Sequence, residues 1–230
     1  MFSQDYLEEF VYSLIEKYLS WARFALQWAK LRDESIDSLQ FPFRSYRKGQ
    51  REMAVAVYHT ISDSGKLFVS APTGIGKTVS ALFPAVKAIA QGKAEKIFYL
   101  TAKTITRQVA GNVVNIMRNC GLKIKTLTIT AKGKICFTGN IACNPDSCPY
   151  AKGHFDRVND AVYELICSRD DFSREEIEEC ARKYSVCPFE MSLDLTLWSD
   201  VIICDYNYVF DPRVYLRRFF TEGRGNYVFL

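Results

Sequence analysis

Lys66–Ala90 reads KLFVSAPTGIGKTVSALFPAVKAIA, and its order of residue types decides the fold. Leu67-Phe68-Val69 is a short apolar run rich in β-forming residues, which predicts a buried strand ending at Ser70-Ala71. Pro72, Thr73, Gly74, Ile75, Gly76, Lys77 and Thr78 follow, and then Val79, Leu82, Phe83, Val86 and Ile89 recur at three- and four-residue steps. That spacing places the apolar residues on one face of a helix. Strand, glycine-containing loop and a helix opened by Lys-Thr make a phosphate-binding loop. Gly74 and Gly76 let the backbone curl until successive N–H groups point at a phosphate chain. The positive end of the following helix adds to that field. Lys77 reaches the outer phosphates, and the Thr78 hydroxyl is placed to ligate Mg2+. Ala71 stands where the strict pattern has glycine, so the match is to the looser Ala/Gly-x-x-x-x-Gly-Lys-Thr form. Ala71 to Thr78 is the candidate nucleotide site.

The chain has 230 residues, room for one large α/β domain or one domain with an insertion. Hydrophobic and charged contents of 48% and 24% match an ordinary globular core and surface. A net charge of +4 permits contact with nucleic acid without requiring it. Trp21–Leu31 is interrupted by Arg23, Gln27 and Lys30, so no apolar run reaches membrane-spanning length and no membrane partner is expected. The first residues lack a basic stretch followed by an apolar core, so no signal peptide is expected and the expected location is cytoplasmic. Eight cysteines in a reducing compartment then point to metal ligation wherever they cluster.

Asp5–Arg32 carries Leu7, Val11, Leu14, Tyr18, Trp21, Ala25 and Trp28 at alternating four- and three-residue steps, which predicts a long amphipathic helix laid on its own or a neighbouring domain. Asp33–Gln40 reads as a linker. Phe41-Pro42-Phe43 leads to Gln50 and a helix over Glu52–Ile61; the Gln50 amide could read an adenine edge through its paired donor and acceptor. Lys96–Thr101 predicts a second core strand, followed by a helix to about Asn119. Thr101, Lys103, Thr104 and Arg107 fall at the C-terminal end of that strand, where α/β sheets bind ligands, and would suit a phosphodiester backbone. Lys123–Ile129 predicts a third strand, Ser199–Asp205 a buried strand and Asn226–Leu230 another core strand. Between Thr130 and Leu197 strand signals vanish and cysteines concentrate, so that stretch reads as an insertion. The organisation is an N-terminal helical segment and linker over 1–40, a first part of the α/β domain over 41–129, the insertion over 130–197, and the domain resumed over 198–230.

Within the insertion, Cys136-x6-Cys143-x4-Cys148 lie close together, and Cys148 and Cys187 are each followed by Pro and an aromatic residue. Val158–Cys167 and Glu175–Tyr184 predict a helical hairpin that would bring Cys187 back to the other three. Four thiolates meet the requirement of a [4Fe–4S] cluster, and structural zinc competes for the same ligands. Zinc sites favour close ligand pairs, and the gaps here fit that habit less well. Cys120, Cys167, Cys180 and Cys204 fall at a helix end, in helices and in a strand, where cysteine acts as a small hydrophobe.

Taken in order, Phe41–Gln50, Ala71–Thr78, Tyr99–Arg107, the four cysteines and Asp205-Tyr206-Asn207-Tyr208 with Asp211-Pro212 resemble the iron–sulfur DNA helicases of superfamily two, the XPD and DinG group. The resemblance covers roughly Phe41 to the end of the sequence. It implies a RecA-like first motor domain, an α/β parallel sheet, carrying an inserted, mostly helical 4Fe-4S domain. It also implies ATP as the nucleotide, with Gln50 in the adenine-reading motif and Lys77 and Thr78 catalytic. Thr101, Lys103 and Thr104 would lie on the single-strand path, and Cys136, Cys143, Cys148 and Cys187 would hold the cluster where the duplex is parted. Members are similar in moving 5′ to 3′ along single-stranded or forked DNA in repair and replication, acting here as an expected monomer.

The family's Asp-Glu-Ala-His box should follow directly after Asn226–Leu230, where this sequence stops. The expectation is therefore a fragment or truncated product, poor at hydrolysing ATP and unable to unwind DNA alone, because the acidic residue that holds Mg2+ has no candidate here. The alternative is a non-hydrolysing nucleic-acid-binding module with a structural four-cysteine metal site.

Overall fold

The computed structural model describes residues 2–139, 143–221 and 225–230. In chain order its elements are α1 (Gln4–Ser38), α2 (Gln50–Ser62), α3 (Lys77–Ala90), β1 (Lys96–Leu100), α4 (Thr104–Asn119), β2 (Thr126–Thr128), α5 (Lys132–Ile135), α6 (His154–Ser168), β3 (Asp171–Phe172), α7 (Arg174–Tyr184), α8 (Pro188–Leu195), β4 (Val201–Cys204), α9 (Asn207–Phe210), α10 (Arg217–Phe220) and β5 (Tyr227–Phe229). The strands form one parallel sheet in the order β3-β2-β4-β1-β5. This is the α/β architecture that the nucleotide loop and the strand runs predict.

Helices cover both faces of the sheet, which explains why Val201-Ile202-Ile203-Cys204 is an unbroken apolar run rather than an alternating one. Ile97, Val201 and Ile203 turn to one side, against Val79, Leu82 and Val86 of α3 and Ala110 and Val114 of α4. Phe98, Ile202 and Cys204 turn to the other, against Val158, Val162 and Ile166 of α6, Ile177 of α7 and Leu195 of α8. Successive strand residues face opposite ways, so each strand serves both cores. Burial pushes the Cys204 thiol up to about 12, and it acts there as an apolar side chain. The cysteine-rich stretch therefore supplies most of one layer of the fold, completed by Leu216 and Phe219.

Several elements differ from the sequence expectation. Leu67-Phe68-Val69 forms no strand: all three residues are exposed, Phe68 at 95%, and lie outside the sheet. A three-residue apolar run becomes a strand only where a neighbour takes up its N–H and C=O groups, and the described sheet ends at β5. That strand is itself an edge, with Phe229 exposed, rather than a core strand. The insertion contains a strand after all, because Asp171-Phe172 pairs with β2. The expected linker at Asp33–Gln40 is largely helical, since α1 continues to Ser38 and buries Ile36 in the core of α3 and α4.

Only the C-terminal half of α1 is partnered. Trp21 packs on Trp198 and Tyr163, with ring centroids 4.7 and 5.0 Å apart, while Leu7, Val11, Leu14 and Tyr18 remain exposed. The contact face runs through Trp21, Phe24, Trp28 and Arg32, and it crosses the N-terminal ends of β2 and β4. There Asp200 accepts from Arg32 Nη1 at 2.8 Å, from the Lys125 backbone N–H at 2.8 Å and from Trp28 Nε1 at 3.4 Å. Lys125 stands 4.0 Å from the Trp28 ring centroid and donates to the Arg169 carbonyl at 2.7 Å. Burial lowers its pKa from the ordinary lysine range. Removing one partner of such a buried pair strands the other charge. Asp200→Ala should cost about 3–5 kcal/mol, read as a lower urea midpoint, with the tryptophan fluorescence of α1 changing in the same transition.

Candidate functional site

The phosphate loop is held between α2 and α3. Gly74 and Gly76 have φ of +84° and +88°, the left-handed region that glycine enters without strain. Lys77 donates across the loop to the carbonyls of Ala71 at 3.1 Å and Pro72 at 2.9 Å, so its ammonium spans the space above the loop backbone. Thr78, the second residue of α3, is half-buried, and Thr73 is exposed. Ile75 packs against Gly49, where an added Cβ would meet Ile75 Cδ1 at 3.1 Å.

Gln50 is 3% exposed and lies directly against this loop. A Cβ on Gly76 would fall 2.3 Å from Gln50 Nε2, and Gln50 Oε1 accepts from the Arg47 backbone N–H at 2.9 Å. Arg47 Nη1 in turn donates to the Gly74 carbonyl. Sequence reasoning singled out Gln50 but not Arg47, whose signal was only its position three residues earlier. Gly76→Ala should displace the Gln50 amide and add backbone strain of about 1–2 kcal/mol. Nucleotide affinity, measured by fluorescent-ATP titration, should fall at least about tenfold while the circular dichroism stays that of the parent. Lys77→Ala should abolish binding in the same titration.

At the C-terminal end of the sheet, Thr101 is 8% exposed, and its hydroxyl accepts from the Lys103 backbone N–H at 3.2 Å. It shapes the loop, whereas Lys103 and Thr104 face solvent at the start of α4. Arg107 is committed to Asp205 at 3.1 Å, which fixes the first turn of α4 to the loop after β4.

The four cysteines picked from the sequence converge. Cys136, Cys143, Cys148 and Cys187 line one cavity of about 220 Å³, together with Lys132 and His154. Local structure explains how. Cys136 ends the single turn of α5. Cys148 sits in a turn whose amides are taken by the Asn144 carbonyl, and its own carbonyl accepts from Ala151 and Lys152. Gly153, at φ +65°, then opens α6. The α6–α7 hairpin returns the chain, and Pro188 starts α8 directly after Cys187. Arg157 locks the two ends together, donating to the carbonyls of Lys152 at 2.8 Å, Tyr184 at 2.9 Å and Ser185 at 2.7 Å.

The hydroxyl of Thr138 holds the Cys136 thiol below the usual range, and burial pushes Cys187 up. Lys132 is raised, chiefly by its hydrogen bond to Cys143. His154 is buried; its Nδ1 accepts from the Cys187 backbone N–H at 3.2 Å. Desolvation lowers its pKa, against the opposing charges of Asp194 and Glu190. Among the described residues no three Cys, His, Asp or Glu side chains stand close enough to share one metal ion. Asn140, Ile141 and Ala142, between Cys136 and Cys143, lie outside the described residues. Cys167 and Cys180 belong to α6 and α7, away from this cavity. Arg157→Ala should lower stability by about 2 kcal/mol and loosen the loop before Cys187, seen as faster amide exchange at Ser185–Cys187.

Residues 48–136 match the DEAD/DEAH box helicase family, and residues 103–223, more than half of the chain, match the DEAD_2 family. The chain belongs to the DEAD_2 family. Over 70 residues it is 37% identical to a probable ATP-dependent helicase of Methanocaldococcus jannaschii, an alignment spanning 30% of this chain and 10% of that protein. A solved XPD helicase matches 81% of the DEAD_2 chain at TM-score 0.55 and 17% identity, and the match covers 32% of the solved chain. That likeness supports the RecA-like fold. The DEAD_2 chain thus corresponds to about a third of the solved helicase. Among its described residues no helix is long and apolar enough to cross a membrane.

Proposed function

We propose that the DEAD_2 chain is the ATP-binding and iron–sulfur N-terminal part of an ATP-dependent DNA helicase. It would move 5′ to 3′ on single-stranded or forked DNA in repair or replication. The observation that carries this reading is the gathering of the distant Cys187 with Cys136, Cys143 and Cys148 around one cavity, in a chain that also folds a phosphate loop against Gln50. Family membership supports the motor; the motif order supports the iron–sulfur group within it.

In this reading the loop amides and Lys77 hold the phosphates of ATP, Thr78 ligates Mg2+, and Gln50 meets the adenine. Lys77 would leave the carbonyls of Ala71 and Pro72 for the outer phosphates, so nucleotide binding exchanges two internal hydrogen bonds for charge-assisted ones. Thr101 holds the loop shape, while Lys103 and Thr104 contact DNA phosphates.

The fit of the cysteines to a cluster rests on their arrangement. Four thiols line one cavity, and four thiolates are the ligand set of a [4Fe–4S] cluster, with structural zinc the competitor for the same ligands. The Lys132 ammonium lowers the cost of gathering thiolates. When bound, such a group would tie α5, the Cys148 turn and the start of α8 into one unit.

Anaerobic purification followed by iron, sulfide and zinc analysis tests the reading: about four irons per chain and a brown colour support it, and one zinc with no iron overturns the cluster. Cys143→Ser or Cys187→Ser should lose the metal and destabilise the α6–α8 layer, whereas Cys167→Ser should do neither. Single-stranded DNA binding should weaken steeply with salt, and Lys103→Ala should reduce the slope of log K against log salt by about one. A flat salt dependence would argue against a backbone-tracking surface.

A further inference from the structure

Tyr206-Asn207-Tyr208 has no part in either candidate site, yet it follows β4 at the C-terminal edge of the sheet, where α/β proteins bind ligands. Tyr206 already has helical dihedrals, and the Phe210 backbone N–H donates to its carbonyl at 3.0 Å. The two side chains therefore stand one turn apart on the same face of α9. Tyr208 and Val209 pack into the core of α6, α7 and α8, which turns that other face outwards: Tyr206 is 46% exposed and Phe210 69%. Asp205 fixes the helix through both carboxylate oxygens. Oδ1 accepts from the Asn207 backbone N–H at 3.0 Å, and Oδ2 accepts from Arg107 Nη2 of α4 at 3.1 Å. The flanking loops carry cations. The strand order β2-β4-β1 puts α9, after β4, between α5, after β2, and the start of α4, after β1. Lys134 on α5 and Lys103 before α4 are both exposed, and neither ammonium has an ion pair among the described residues. The carboxylates beside α9 are already engaged, Asp205 by Arg107 and Asp211 by Arg213 at 3.5 Å. Neighbouring strands lie about 5 Å apart, so the three loops together span about 10 Å.

We propose that Tyr206 and Phe210 form a stacking platform for unpaired bases of single-stranded DNA, whose phosphates lie against Lys103 on one side and Lys134 on the other. The proposal rests on the DNA-binding reading and names the part of that site that holds bases. Outward aromatic rings between unpaired cations suit a chain that alternates flat bases with phosphates. A duplex keeps its base faces stacked on one another and has none to offer the rings, whereas a single strand does. Every base has a π-face, so such a platform is tolerant of sequence. Arg107 acts here as a positioning residue, since its bond to Asp205 holds Lys103 and α9 in one arrangement. The strand would then run from the start of α4 over α9 to α5, which ends at Cys136 beside the cysteine cavity.

The test titrates the full chain with a fluorescein-labelled oligo-dT, with a duplex of the same length, and with a single strand carrying 2-aminopurine. The single strand should bind more tightly than the duplex, and 2-aminopurine should be quenched on binding, as stacking requires. Tyr206→Ala and Phe210→Ala should each weaken single-strand binding at least about fivefold while the slope of log K against log salt stays that of the parent. Tyr206→Phe and Phe210→Trp, which keep a ring, should restore the affinity. Lys134→Ala should instead lower the slope by about one. A parent chain that binds the strand with a steep salt dependence while both alanine variants bind equally well would overturn the inference and leave the DNA reading standing, with α9 left as a protein contact. Equal losses for strand and duplex would overturn stacking. Should an alanine variant also lose ATP affinity, a sign of a disturbed fold, the parent's 2-aminopurine signal decides, and its absence overturns the platform. A parent chain that binds no single strand sinks the DNA reading and this inference together.

Discussion

Everything in this fold hangs on β4. Each of its four residues is completely buried, and its two edges are both used, pairing with β1 on one side and β2 on the other. Val201 and Ile203 serve the core of α3 and α4, while Ile202 and Cys204 serve the core built by α6, α7 and α8. A strand with this much buried on both faces fixes the register of its neighbours, since a one-residue slip would exchange every side chain between two differently shaped cores. Asp200, immediately before β4, extends the same control to α1 by gathering Arg32, Trp28 and the Lys125 amide. Asp205, immediately after it, does so for the ligand-facing loops by holding Arg107.

The two candidate sites stand on opposite layers of that sheet. The phosphate loop opens α3, whose buried face joins α4 and the end of α1. The cysteine cavity lies among α5, the Cys148 turn and the start of α8, whose helices share the other core. The two cores touch through alternate residues of the same strands, such as Ile97 and Phe98, so a packing change in one layer is felt in the other.

Charge is placed with similar economy. Lys132 approaches Cys143, and Arg157 satisfies three carbonyls at the junction of two loops. Lys96, half-buried and donating to the carbonyls of Leu197 and Ser199, has its pKa drawn down to about 8, chiefly by desolvation. Because its folded value lies below the unfolded one, the folded state gains on the unfolded state as pH rises from about 8 towards the ordinary lysine value. Arg157 and Lys96 bind backbone carbonyls at loop ends, which fixes loops that have no strands of their own.

The sequence by itself determined the longer helices and most strands, because periodicity and apolar runs are local properties: α3, α4, α6, α7, β1 and β4 all lie where their patterns place them, whereas the short α5, α8, α9 and α10 carry no such pattern. It also determined the chemistry available, since the order Ala71–Thr78, Thr101–Arg107 and four cysteines is legible in residue types alone. The tertiary structure decided what needs a partner to exist. Leu67-Phe68-Val69 has the composition of a strand but no neighbour to pair with; Asp171-Phe172 has a weak local pattern but lies beside β2 and becomes one. Gln50 reads as surface in isolation and is buried because Gly76 leaves room for its amide. His154 carries no sequence signal at all. The Cys187 amide reaches its ring only because the α6–α7 hairpin returns the chain, a contact between residues 33 apart that no local pattern encodes.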